Sequence, residues 1–260
     1  MKQNLLGNTG LAVSIIGLGT TKFGRNQGVK YPKVFEIPDD QHLQHLLDCA
    51  RDLGINLIDT APAYGNSEGR IGKLIHHVRK DWIIATKVGE EFIKGESFYN
   101  FTPEHAQMSI ERSLKHLKTD YLDVVLVHSD GNDVYNIQHF GILDYLFQLK
   151  QKGLIRAFGM STKTVEGGLL ALKKSDVVMV MYNPNYTTEQ PVIAHAFKLN
   201  KGVFIKKALS SGHIQNMPGL NPIKTSLQFI MAEPGVSSII LGTINAKHLV
   251  HNVACVTTIE

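Results

Sequence analysis

The chain has 260 residues, 43% of them hydrophobic and 19% charged, with 27 basic against 23 acidic side chains and a formal charge of +4. That apolar content excludes a disordered chain, the small, scattered positive excess leaves no footprint for nucleic acid, and no apolar run approaches the ~20 residues of a membrane helix. The opening MKQNLLGNTG lacks the apolar core of a secretory signal, and Cys49 and Cys255 read as reduced core residues of a cytoplasmic protein.

In chain order, residues 4–6 and 11–13 flank Gly7-Asn8-Thr9-Gly10, a hairpin signal. Short β-branched runs then recur at 13–18, 56–59, 82–87, 122–128, 155–160, 177–182, 202–206 and 237–241. Most are continuously apolar, as strands buried on both faces should be. Helical patterns fill the intervals. The first, 39–53, puts Leu43, Leu46, Leu47 and Ala50 on one face behind Asp39 or Asp40 as a cap; the second, 67–78, opens at Ser67. Thr102-Pro103-Glu104 starts a third, with proline at the first helical position. Others cover 141–152, 165–174, 191–199, 222–232 and 246–255. Eight strand–helix repeats at intervals of roughly 30 residues predict a single α/β domain over 1–260, a (β/α)8 TIM barrel with an N-terminal β-hairpin closing the barrel floor.

Four candidate motifs fail on inspection. Gly17-Leu18-Gly19-Thr20-Thr21-Lys22-Phe23-Gly24 has Lys22 where a dinucleotide fingerprint needs its third glycine. Gly65-Asn66-Ser67-Glu68-Gly69 matches a nucleophile elbow, but Ala61-Pro62-Ala63 separates it from the strand, so Ser67 reads as a helix cap rather than a hydrolase serine. His42 with His45, and the stretch Asp130-Gly131-Asn132-Asp133, lack the further ligands of a metal site, and none is expected.

A more specific signal lies in where four ionisable residues fall. Asp59, Lys87 and His128 end three consecutive strands, and Tyr64 stands just beyond Asp59. In a barrel such ends converge at the C-terminal mouth, where barrel enzymes place their sites. An unpaired polar group at the end of an apolar strand is costly to bury, so a shared role is expected. A lysine beside a tyrosine lowers the phenol's pKa while an aspartate orients the lysine. Tyr64 could then protonate a carbonyl oxygen held by His128. None of these side chains is a hydride source, so a cofactor must supply that step.

Around these residues the sequence resembles the aldo-keto reductase family over nearly its whole length. The resemblance is carried by residues 56–68 (NLIDTAPAYGNSE), Ala85-Thr86-Lys87, 121–128 (YLDVVLVH), 6–14 (LGNTGLAVS) and Gly17-Leu18-Gly19-Thr20. It implies reduction of small-molecule aldehydes or ketones with NADPH, or alternatively NADH, by the tetrad Asp59, Tyr64, Lys87 and His128. It also implies a cofactor lying against Gly19, Thr20, Thr21 and Asp59, with Ser161 and Thr162 at the carboxamide and Asn183 after the sixth strand. Lys206 takes the place where an aromatic ring often stacks on the nicotinamide, and a cation there favours the phosphates or the substrate. Gly242, Thr243, Lys247 and Asn252 fall in the adenosine-phosphate segment, with Lys247 placed to neutralise a 2′-phosphate at a helix N-terminus. Met179 stands where a glutamine is usual, which leaves room for an alternative: a nucleotide-sensing or regulatory subunit with little turnover. The loops at 129–137 and 210–221 and the chain end at Glu260 suggest an open pocket, with 24–39 as the one long loop and Phe23, Tyr31 and Phe35 as its candidate wall residues.

Overall fold

The structure, a computed structural model, describes residues 1–216 and 218–257. Met217, inside the loop at 210–221, and Glu260, the chain end noted in the sequence, lie outside the described residues. The chain opens with an antiparallel hairpin of β1 (Gln3–Leu5) and β2 (Ala12–Ser14). A closed parallel barrel follows, built from β3 (Ile16–Gly19), β4 (Leu57–Asp59), β5 (Ile83–Val88), β8 (Leu122–His128), β9 (Ile155–Ser161), β10 (Val177–Met181), β11 (Gly202–Lys206) and β12 (Ser238–Gly242), with β12 returning to pair with β3. A second hairpin, β6 (Glu90–Ile93) with β7 (Glu96–Tyr99), leaves the barrel after β5.

The helices are α1 (Thr21–Gly24), α2 (Asp40–Asp52), α3 (Ser67–Ile75), α4 (Pro103–Leu117), α5 (Asp133–Phe140), α6 (Ile142–Gln151), α7 (Val165–Lys174), α8 (Gln190–Lys198), α9 (Pro222–Met231) and α10 (Ala246–Thr257). Asp39 caps α2 by accepting from the His42 N–H, and Thr102 caps α4 through the His105 N–H. Cys49 on α2 and Cys255 on α10 are free thiols.

Period-two geometry explains the continuous apolar runs, because successive side chains point to opposite faces of a strand. Leu57, Ala85, Val124, Leu126, Ala157, Val177, Met179, Phe204 and Ile240 form one cluster inside the barrel. Their strand neighbours Ile58, Ile84, Val125, Val127, Phe158, Val178, Val203 and Ile239 join the core beneath the helices. Leu6, Leu11 and Val13 complete the inner cluster from the first hairpin, which plugs the barrel at the strands' N-terminal ends.

Several boundaries differ from the sequence expectation. The run 13–18 is divided: its start belongs to the floor hairpin, and the barrel strand begins at Ile16. The helix expected over 67–78 ends at Ile75 and tightens into a 3₁₀ segment, His76–Asp81. Within the loop taken as 129–137 the chain forms the start of α5, and the β6–β7 hairpin has no counterpart among the predicted elements.

Candidate active site at the barrel mouth

The inward rows of the strands change character as they reach the mouth. Two residues beyond Leu57, Ala85 and Leu126, on the same face of each strand, come Asp59, Lys87 and His128; Ser161 and Lys206 end the inward rows of β9 and β11. These groups line a cavity of about 1120 Å³.

Lys87 is fully buried and donates from Nζ to Asp59 Oδ1 at 2.6 Å and to the Thr60 carbonyl at 2.8 Å. Burial pulls its ammonium toward neutrality, but the Asp59 carboxylate and Tyr64 outweigh this and hold its pKa above the ordinary lysine range. Tyr64 sits on a short 3₁₀ turn, Pro62–Tyr64, that ends at Gly65 with φ +62°. A Cβ on Gly65 would lie 2.2 Å from the Gly24 carbonyl oxygen, so this approach of two mouth loops requires glycine. The Lys87 ammonium lies 4.9 Å from the Tyr64 ring centroid. Its pull on the phenol is nevertheless smaller than the effect of burial, and the Tyr64 pKa is raised, not lowered as the sequence suggests. Desolvation penalises the phenolate more than one shared cation rewards it.

His128 meets Tyr64 edge-on, with ring centroids 6.1 Å apart. Its Nδ1 lies 2.7 Å from Oε2 of Glu90, at the start of the unforeseen hairpin, although not well aligned along an N–H···O axis. Glu90 also accepts from Ser97 Oγ at 2.7 Å and meets Arg25 Nη1 at 3.5 Å. Burial would raise its carboxyl, but His128, Ser97 and Arg25 together hold it down at about 2. For His128 burial wins over Glu90, and its pKa is lowered.

On the opposite side of the mouth, Lys206 donates to Ser161 Oγ at 2.9 Å and to the Thr162 carbonyl at 2.6 Å. Burial brings its pKa down to about 8 despite the nearby Glu189 carboxylate. Thr162, a cavity residue, has its Oγ1 buried without a hydrogen-bond partner among the described residues.

Of the residues the sequence assigned to a cofactor, Gly19, Thr21, Asp59, Ser161, Thr162, Lys206, Gly242, Thr243 and Asn252 line the cavity, as does Met179. Thr20, Asn183 and Lys247 do not. The Thr20 hydroxyl is spent on the Asp59 carbonyl and on Ser67, and both ends of the Asn183 amide tie down neighbouring loops at Lys207 O and Asn185 N. Lys247 is exposed, and His248 lines the cavity in its place. Asn245 Oδ1 already accepts from the N–H groups of Lys247 and His248, so the helix N-terminus is largely capped from within.

Other expectations need similar correction. Ser67 does not cap its helix: its hydroxyl turns inward to Thr20 and Thr60, and Asn66 occupies the cap position. Of the three wall candidates, Phe23 is core, Phe35 packs edge-on against Tyr31, and only Tyr31 lines the cavity. His213 Nε2 lies 3.2 Å from the Lys30 carbonyl, so the long loop reaches across to the segment after β11. Asp130 accepts from the Asn132 N–H and the Asn136 amide of its own segment, and Asp133 accepts from the N–H groups of Lys163 and Thr164 in the loop after β9. Glu90, Arg25, Glu189, Lys163 and Lys207 are cavity residues the sequence reading missed. The only local sign for Glu90 was a charged pair, Glu90-Glu91, directly after a buried strand and Gly89.

A closed barrel with ionisable groups gathered at its C-terminal mouth defines a (β/α)8 barrel enzyme. Comparison with known proteins narrows this, since the profile of the aldo/keto reductase family matches residues 15–216. The chain belongs to the aldo/keto reductase family and is an NAD(P)-dependent oxidoreductase. It is similar to the uncharacterized oxidoreductase YqkF of Bacillus subtilis (strain 168), at 29% identity over 97% of this chain and 90% of that protein. L-galactose dehydrogenase of Arabidopsis thaliana is 27% identical over 98% of this chain and 88% of its own length. A crystal structure from Pseudomonas aeruginosa, of a protein assigned to the aldo-keto reductases, is 49% identical, covers 98% of this chain and 95% of that chain, and superposes with a TM-score of 0.90.

Proposed function

We propose that the protein reduces small aldehydes or ketones to alcohols with NADPH in the cytoplasm, with Tyr64 as the proton donor. The observation carrying this reading is the buried Lys87–Asp59 pair, 2.6 Å apart, set against the Tyr64 ring in the mouth cavity that His128 shares. The cavity residues fit a dinucleotide. At about 1120 Å³ the space exceeds the ~300–1,000 Å³ of an ordinary ligand pocket. Its lining includes Lys22, Lys30, Lys206 and Lys207, suited to phosphates, and the unpartnered Thr162 hydroxyl is suited to an amide.

A bound nicotinamide supplies the hydride. Burial keeps the Tyr64 phenol protonated at neutral pH, so it has a proton to give as charge develops on the carbonyl oxygen. Lys87, itself held by Asp59, stabilises the phenolate left behind. Ser161 and Thr162 would hold the carboxamide once Lys206 releases the Ser161 hydroxyl, and Thr243, His248 and Asn252 would face the adenosine end. The hydroxylated substrate in the name of the Arabidopsis relative makes aldoses a sensible part of a substrate screen.

Tyr64→Phe should bind NADPH as the wild type does and lose about 10²–10⁴-fold in carbonyl reduction. Near-wild-type turnover by that variant would defeat the assignment. A wild-type chain that binds NADPH yet reduces no carbonyl in a broad screen would instead favour the nucleotide-sensing reading.

A further inference from the structure

The contact between Glu90 and His128 has a consequence for which way the histidine can hydrogen-bond. An ionised carboxylate only accepts, so a nitrogen 2.7 Å from it, even off the N–H···O axis, is favoured to carry the ring's proton. Glu90 is kept anionic by Ser97 and Arg25 as well as by the ring. With Nδ1 protonated, a neutral His128, which lines the cavity, has its lone pair on Nε2. A carbonyl oxygen also only accepts, and it finds no donor in that tautomer.

We infer that Glu90 is a positioning residue which fixes His128 as the Nδ1–H tautomer, so that His128 holds a carbonyl only as the imidazolium and receives an alcohol hydroxyl as the neutral ring. This deepens the proposed reductase function and rests on it. His128 keeps its protons through the hydride step, in which Tyr64 would provide the proton of the new alcohol and a bound nicotinamide the hydride; the ring gains or loses its own second proton with solvent between turnovers. The pair thereby links the rate of carbonyl reduction to the charge of one ring. Besides Glu90, the groups acting on that ring are Lys87 and Lys206, whose charges oppose a second proton, and Tyr64 packed edge-on. Arg25 stands behind Glu90.

Two measurements test the inference. In the full chain with ¹⁵N-labelled histidine, with and without NADP⁺, the neutral His128 ring (assigned by its loss in His128→Asn) should show Nδ1 protonated and Nε2 bare. In Glu90→Gln that preference should vanish, because an amide can also donate to Nδ1. A wild-type ring protonated at Nε2 would overturn the inference, whatever the activity. In the pH profile, wild-type kcat/KM for reduction should fall tenfold per pH unit from below pH 6.5 upward, while that for alcohol oxidation stays level, because one proton is consumed per carbonyl reduced. Glu90→Gln should flatten that fall and exceed the wild type in reduction at pH 8. The phenol titrates above its ordinary value of 10.0, so its own alkaline loss comes much later and cannot mimic this limb. An unchanged profile in Glu90→Gln would refute the proposal. Failure of the functional reading is distinct, since it appears as retained reduction in Tyr64→Phe and leaves the tautomer result standing.

Discussion

Lys206 occupies an unusual place for a cation: mostly withdrawn from water, bound to the hydroxyl and carbonyl that end β9, with the Glu189 carboxylate as its main anionic neighbour. Its pKa is depressed to about 8, so charge is present below that pH and lost as pH rises through it. Lys207, Lys163 and Asp133 are the other charges that act on it. If the ammonium meets a cofactor phosphate, KM for NADPH should rise several-fold between pH 7 and 9, and Lys206→Met should abolish that rise in steady-state kinetics. The 2′-phosphate of the proposed NADPH gives a second test. With Lys247 exposed and His248 in the cavity lining, His248→Ala should raise the NADPH KM several-fold while sparing NADH, and Lys247→Ala should change neither. Residue identities at the strand ends were readable in advance because polar side chains interrupt apolar rows there. Which neighbour in each pair faces the cavity was not readable: Thr20 and Thr21 differ by one position and face different surroundings.

At the level of elements, local chemistry accounts for what the sequence foretold well. Thr102 before Pro103 is a cap signal whose hydroxyl accepts the His105 N–H, and Thr102→Ala should cost about 1 kcal/mol, measurable as a lowered urea midpoint with unchanged slope. The β6–β7 hairpin escaped because its strands are only four residues each and its turn, Lys94-Gly95, lacks the usual asparagine or aspartate. Both turn residues have positive φ, +52° and +91°, which lysine signals poorly. The omission concealed Glu90, because only the folded hairpin brings that carboxylate to His128 and Arg25. Ser67 illustrates the opposite error. Its position suits a cap, but the interior offered its hydroxyl better partners in Thr20 and Thr60.

Across the whole molecule, stability depends on closing the sheet over a filled interior. Phe204, fully buried, fills the inner cluster along with Leu6, Leu11 and Val13 of the floor hairpin. Phe204→Ala should cost about 3–5 kcal/mol in denaturant unfolding and loosen that floor. Gly159 lies where β9 meets β10; a Cβ there would fall 1.7 Å from the Val177 carbonyl oxygen, so Gly159→Ala must part the two strands. The repeat of buried strands and amphipathic helices, the Asp39 and Thr102 caps, and the polar residues ending three strands follow from short-range rules acting on a few neighbouring residues, and they were legible in the amino-acid order. The tautomer-setting contact, the net direction of the Tyr64 pKa, and the division of the cofactor-side residues into cavity-facing and structural were not. Each depends on distances between segments that barrel closure alone brings together, and on how much water that closure removes.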